Sequence, residues 1–215
     1  MHVCDLGLTK YMVEYFLEKL VDEEGNKKID QLNERLLSLP RFNNLKIPDK
    51  GLQNRTNFTA KDWRNILKVI IFVIDRMFQN NNINNQVIIC FRLWMEIYLS
   101  LRRDSFTKRA LIQISNQMFE WANTFTSLFK NYSKSDFKLP KLHCLLYHLI
   151  PSIEKYGAPV GFSTETYESL HKKYVKQPYR SSNKRNFDKQ MIKIVSKKGL
   201  KFIITTLITD FIIII

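Results

Sequence analysis

The sequence predicts a mainly α protein, built around a helical bundle. Apolar residues recur at three- and four-residue spacing along successive stretches of the chain. Those stretches are bounded by residues that start or stop helices, such as Thr59, Gly25 and Pro40. With 215 residues, 45% of them hydrophobic and 13% aromatic, the chain can bury one good core and a small second unit.

The elements follow in order. "LTKYMVEYFLEKLVDEEG" puts Leu8, Tyr11, Met12, Tyr15, Phe16 and Leu20 on one helical face, with Gly25 as a stop. A short helix runs through "KIDQLNERLLSLP" and ends before Pro40. "RFNNLKIPDKGLQNRTNF", with Pro48, Gly51 and many asparagines, reads as a long loop or linker. Thr59-x-x-Asp62 supplies a capping-box start for a helix carrying Trp63, Ile66, Leu67, Ile70, Ile71 and Ile74, which "QNNNINN" from Gln79 breaks. "VIICFRLWMEIYLSLRRD" is apolar nearly all round, which predicts a central helix. "TKRALIQISNQMFEWANTFTSLFKNY" is amphipathic, with Trp121 and Phe125 four apart. Pro140 suits a first helical turn, Pro151 should kink or end that helix, and "GAPVG" is a rigid turn. Ser163 or Thr164 should cap the helix carrying Glu168, with a basic helix beginning after Ser181 or Ser182. The expected divisions are 1–57 (N-terminal helices and linker), 58–135 (helical bundle), 136–200 (a C-terminal block with the basic helix) and 201–215 (an apolar tail).

The net charge of +14 favours a polyanionic partner, nucleic acid or an anionic membrane surface. It is concentrated late: residues 171–200 hold ten Lys or Arg against Asp188 alone. Cys4, Cys90 and Cys144 are odd in number and lack Cys-x-x-Cys spacing, so they read as buried free thiols of a reducing compartment. The opening "MHVCDLGLTK" lacks the basic start and apolar run of a secretory signal, and a nuclear or cytoplasmic protein is expected. "KFIITTLITDFIIII" is apolar but contains Asp210 and is short of the twenty or so residues of a spanning helix, so no stable membrane span is expected. It reads as a terminal strand or as an aggregation-prone extension translated past an original reading frame.

"HKKYVKQPYRSSNKRNFDKQMIKIVSKKG" interleaves Tyr174, Tyr179 and Phe187 with cations, and Ser181, Ser182 and Asn183 can hydrogen-bond phosphate oxygens. Lys172, Lys173, Lys176, Tyr179, Arg180, Ser182, Lys184, Arg185 and Lys189 are the candidate DNA-binding residues, in a pattern suited to the backbone more than to a base code. Glu168 and His171 lie three apart on a helix, but a carboxylate-bridged metal bundle needs a second such pair and further glutamates. Glu165 and Glu168 also suit a helix N-terminus without any ion. His143 and His148, five apart, fall on different sides of an α-helix and read as core or interface histidines. A Cys144–His catalytic pair lacks an orienting third group.

"HVCDLGLTKYMVEY", "PKLHCLLYHL" and "YGAPVGFSTETYESLHKKYVKQPYRSSNKRNFDKQM" together resemble the late part of Plavaka-type transposases, relatives of the CACTA elements. The resemblance implies the last helices of an RNase H-like core beside a helical insertion domain. It implies DNA transposition by a DDE chemistry in which two aspartates and a glutamate hold divalent Mg2+. Glu168 would be that glutamate and metal ligand, with Glu165 the alternative, and DNA and a full-length transposase copy would be the partners. The strands bearing the aspartates would precede "MHVCDLGL", and Asp5 belongs to the family's later segment. The expectation is therefore a truncated, catalytically inactive remnant with an incomplete core and some uncovered apolar surface; the alternative is a helical protein-interaction module that binds no nucleic acid.

Overall fold

A computed structural model describes residues 3–197, apart from the side chains of Glu165 and Thr166; the 201–215 tail lies outside the described residues. Among the described residues the chain is mainly helical, without a strand. It divides into two units between Phe162 and Ser163, so the expected divisions at 57/58 and 135/136 both fall inside the first unit.

The first unit opens with a π-helical turn, Cys4–Thr9, that runs into α1 (Lys10–Glu24) and is closed by Leu8 N–H donating to Val3 O five residues back. Leu8, Met12, Phe16 and Leu20 are buried on the expected face, and Gly25 ends α1 with φ 85°, a conformation that favours glycine. After α2 (Lys27–Ser38), residues 40–58 are the expected long loop, and it serves as a strap against the core and not as a free linker. Leu45, Ile47 and Leu52 are buried beneath it. Asn33 Oδ1 accepts from Leu52 N–H at 2.8 Å, and Asn65 Nδ2 donates to Lys46 O at 3.1 Å.

Thr59 and Asp62 form the expected reciprocal capping box, Thr59 N–H donating to Asp62 Oδ2 at 2.9 Å, and α3 (Ala60–Ile70) follows. It stops before Ile71, and Arg35 pins the turn beyond it through Val73 O and Asp75 O. The asparagine run does not merely break a helix. Asn80 Oδ1 accepts from Asn82 and Ile83 N–H, so the run caps and forms the first turn of α4 (Asn81–Ser100). One side of α4 is core, with Val87, Phe91, Trp94 and Ile97 buried; Leu99, 64% exposed, shows that the expected all-round burial does not hold.

α5 (Lys108–Leu128), capped by Thr107, packs along α4 and completes an aromatic stack. Trp94 and Trp121 have ring centroids 4.5 Å apart, and Trp121 stacks on Phe125 at 5.1 Å and 8°. Phe125 meets Tyr15, Phe129 and Phe137, and buried Trp94 Nε1–H donates to Thr9 Oγ1 at 2.9 Å. Beyond it, α6 (Pro140–His143), a π-turn (Cys144–His148) and α7 (Leu149–Tyr156) form one continuous helical path, followed by α8 (Pro159–Phe162). Pro151 does not end this helix, which runs on to Tyr156. Its missing N–H and its clash with the carbonyl four residues back are absorbed by the π-turn just upstream. Among the described residues no helix is long and apolar enough to cross a membrane.

All three cysteines are free, but only Cys90 is fully buried. Burial pushes the Cys4 thiol from the ordinary 9.0 up to about 11, and pushes Cys90 up as well. Above pH 9 the unfolded chain loses these protons while the folded chain keeps them, so stability falls as pH rises. We therefore expect the urea midpoint, followed by circular dichroism, to hold steady up to pH 9 and to drop progressively through pH 11. The same measurement at pH 7 should find Trp121→Ala destabilised by about 3–5 kcal/mol, the range for emptying a large aromatic site.

Candidate nucleic-acid interface

The second unit carries most of the sequence-predicted site. α9 (Glu165–His171), a π-turn (Lys172–Lys176) and α10 (Gln177–Ser181) again make one continuous path. Pro178 has no N–H for the carbonyl of Tyr174, and the chain widens ahead of it so that Gln177 N–H donates to Lys172 O, five back. A basic helix does follow Ser182, over 187–197, but several of the candidate cations lie before it. Lys172, Lys173, Lys176 and Arg180 belong to the helix that carries Glu168, Lys184 and Arg185 to a turn, and Lys189 to a helix over 187–197, α11.

The turn has a specific construction. Lys184 and Asn186 take left-handed φ of 62° and 46°. Asn183 Oδ1 accepts from Arg185 N–H at 2.9 Å and from Gln190 Nε2 at 2.6 Å, and Gln190 Nε2 also donates to Arg185 O at 2.7 Å. Ser182 Oγ donates to Tyr179 O and accepts from Lys184 N–H, and Ser181 Oγ donates to Gln177 O. The hydroxyl protons expected to meet phosphate are thus directed to helix carbonyls. Tyr179 and Phe187 meet edge to face at 5.5 Å and join α10 to α11.

Every Lys and Arg named in this unit is exposed, and Tyr179 and Phe187 are 41% and 40% exposed. Tyr174 is half-buried, with Lys173 Nζ 5.0 Å from its ring centroid. Glu168 is exposed; its backbone N–H donates to Thr164 O, and its Oε1 accepts from Thr164 Oγ1 at 3.1 Å. Thr164 therefore serves the carboxylate of Glu168 and does not cap the helix through its side chain. The side chain of Glu165 lies outside the described residues.

A two-metal site needs three carboxylates, and the described residues do not assemble one: no three His, Cys, Asp or Glu side chains among them are grouped to hold an ion. Asp5 is committed within the first unit. Fully buried, it accepts from Tyr98 Oη at 2.7 Å and pairs with Arg64 at 2.8 Å, while Arg102 donates to Tyr98 Oη. Burial first, and then the charge of Asp5, push the Tyr98 phenol up.

Residues 143 and 148 depart most from expectation. The sequence puts them about 140° apart on an α-helix, yet His143 Nε2 and His148 Nε2 lie 3.2 Å apart. The π-turn closes i to i+5 and brings them onto one side. A proline three residues beyond a histidine pair spaced by five is the sequence feature that could have found it.

Compared with known proteins, the chain matches no family model, no curated protein and no solved structure.

Asn183→Ala removes the acceptor that organises the turn. Amide exchange at Arg185 should quicken by an amount equivalent to about 1 kcal/mol, measured by exchange-resolved NMR, with the first unit unaffected.

Proposed function

We propose that this chain is a transposase-derived DNA-binding protein, and that residues 163–197 hold the phosphate backbone. One observation carries the reading: all nine Lys and Arg of 163–197 are exposed, against three acids in the same stretch, with exposed Tyr179 and Phe187 between them. Cations in such number release counterions from DNA, and aromatic faces beside them suit sugars and bases without requiring a sequence code. A solvated helix face has no need of an ordered turn that presents Lys184 and Arg185 between two helices.

Descent from Plavaka-type transposases rests on the motif resemblance, and under it the later helices derive from an RNase H-like core. Glu168 then stands at the position of the catalytic glutamate. Mg2+-dependent cleavage would need aspartates that the described residues do not group with it, and a full-length transposase copy is the partner that could supply them. The second reading, a protein-interaction module, draws on a different observation: Phe119 and Tyr147 are exposed and meet at 5.9 Å on the first unit.

Fluorescence anisotropy of a labelled duplex separates the two. Native protein should bind with an affinity that falls steeply with salt. Changing Lys172, Lys173, Arg180, Lys184 and Arg185 together to Ala should weaken binding and lower the log–log salt slope by up to about 4.5. Equal binding by both proteins, or binding by neither, would transfer the proposal to the interaction module.

A further inference from the structure

We propose that His143 and His148 form a surface clamp for a borderline first-row divalent cation, of the Zn2+ class. Both residues are exposed, so the pair is not consumed by packing. Their Nε2 atoms are 3.2 Å apart while the ring centroids are 4.9 Å apart, at an interplanar angle of 71°. The nitrogens are thus the facing edges of two rings that diverge behind them, and their lone pairs can open onto one shared volume. Two imidazole nitrogens, each at its usual distance from one tetrahedral zinc, are about 3.3 Å apart. The observed separation needs almost no adjustment.

The backbone fixes this arrangement. The Cys144–His148 π-turn ahead of Pro151 sets the register, Ser152 Oγ donates to His148 O at 2.6 Å, and the Tyr147 ring lies 5.0 Å from that of His143. Without a cation, the 3.2 Å separation allows one imidazole, in its Nε2–H tautomer, to donate to the other's Nε2 lone pair. On binding, the donor ring carries its proton on Nδ1 instead; both Nε2 atoms then coordinate, and no net proton is released from the neutral rings. Imidazole nitrogen suits Zn2+, Cu2+ or Ni2+ and gives little to Mg2+, so this clamp is separate from the Mg2+ chemistry that the resemblance implies near Glu168. Two protein ligands leave the other coordination positions to water.

Isothermal titration of the full chain with ZnCl2 tests the clamp, with MgCl2 as control. Native protein should bind Zn2+ and show no heat with Mg2+. His143→Gln and His148→Gln should each weaken Zn2+ binding at least about tenfold, because losing even an outer-shell partner of a metal ligand costs that much. Pro151→Ala, which keeps both rings but frees the α-helical path, should also weaken it, whereas Cys144→Ser should leave it unchanged. A measurement on the native chain does not depend on any variant folding: Zn2+ should protect His143 and His148 from diethylpyrocarbonate, read by peptide mass spectrometry, and leave His171 modified. Unchanged Zn2+ affinity in both histidine variants, loss of binding through Cys144→Ser alone, or failure of Zn2+ to protect either ring would overturn the proposal.

Discussion

The first unit depends on the close, tilted ring contact between Trp94 and Trp121. Aromatic rings bury more surface than any aliphatic side chain, and this pair lies where α4 meets α5. Phe125 continues the stack toward Tyr15 of α1 and toward Phe137 beyond α5, while Thr9 holds the Trp94 indole from the N-terminal π-turn. Segments more than a hundred residues apart in sequence thus converge on one group of rings. The Asp5–Arg64–Tyr98 network adjoins that centre through the Tyr98 ring, 6.4 Å from that of Trp94.

Two prolines set the local geometry on which both proposed sites rest. Pro151 and Pro178 each stand inside a helical path, and in each case the helix widens into a π-turn before the ring and does not stop. The physical cause is the same: a missing donor and a steric clash are relieved by shifting the hydrogen bonding from four residues back to five. Ahead of Pro151 the shift brings two histidines together. Ahead of Pro178 it carries Lys172, Lys173 and Lys176 on the same helical path as Arg180.

Much of the fold was legible because it follows from hydrophobic periodicity and end signals. The α1 face, the Thr59–Asp62 capping box and the Trp121–Phe125 pair are where spacing alone places them. The departures have specific causes. Asparagines after Gln79 look like a break, but Asn80 is a strong N-cap, and a cap is told from a loop only by the helix that follows it. The 40–58 stretch looks like a linker because its buried residues, Leu45, Ile47 and Leu52, follow no period. The histidine pair was hidden by the assumption of 3.6 residues per turn. Of the candidate interface, the identity and exposure of the cations were readable, whereas the Asn183–Gln190 turn depends on left-handed φ at Lys184 and Asn186, which neither residue type announces.

Charge segregation joins the sequence to the proposed function. A core rich in aromatics supports the first unit without help from the cations, which leaves those of 163–197 in solvent and available to a polyanion. The measurement that tests this most directly is residue-resolved hydrogen exchange of the full chain with and without duplex DNA. Slower exchange on DNA addition across 171–189, with α4 and α5 unchanged, is the result this account predicts. Protection confined to the first unit, or none anywhere at saturating DNA, would contradict it.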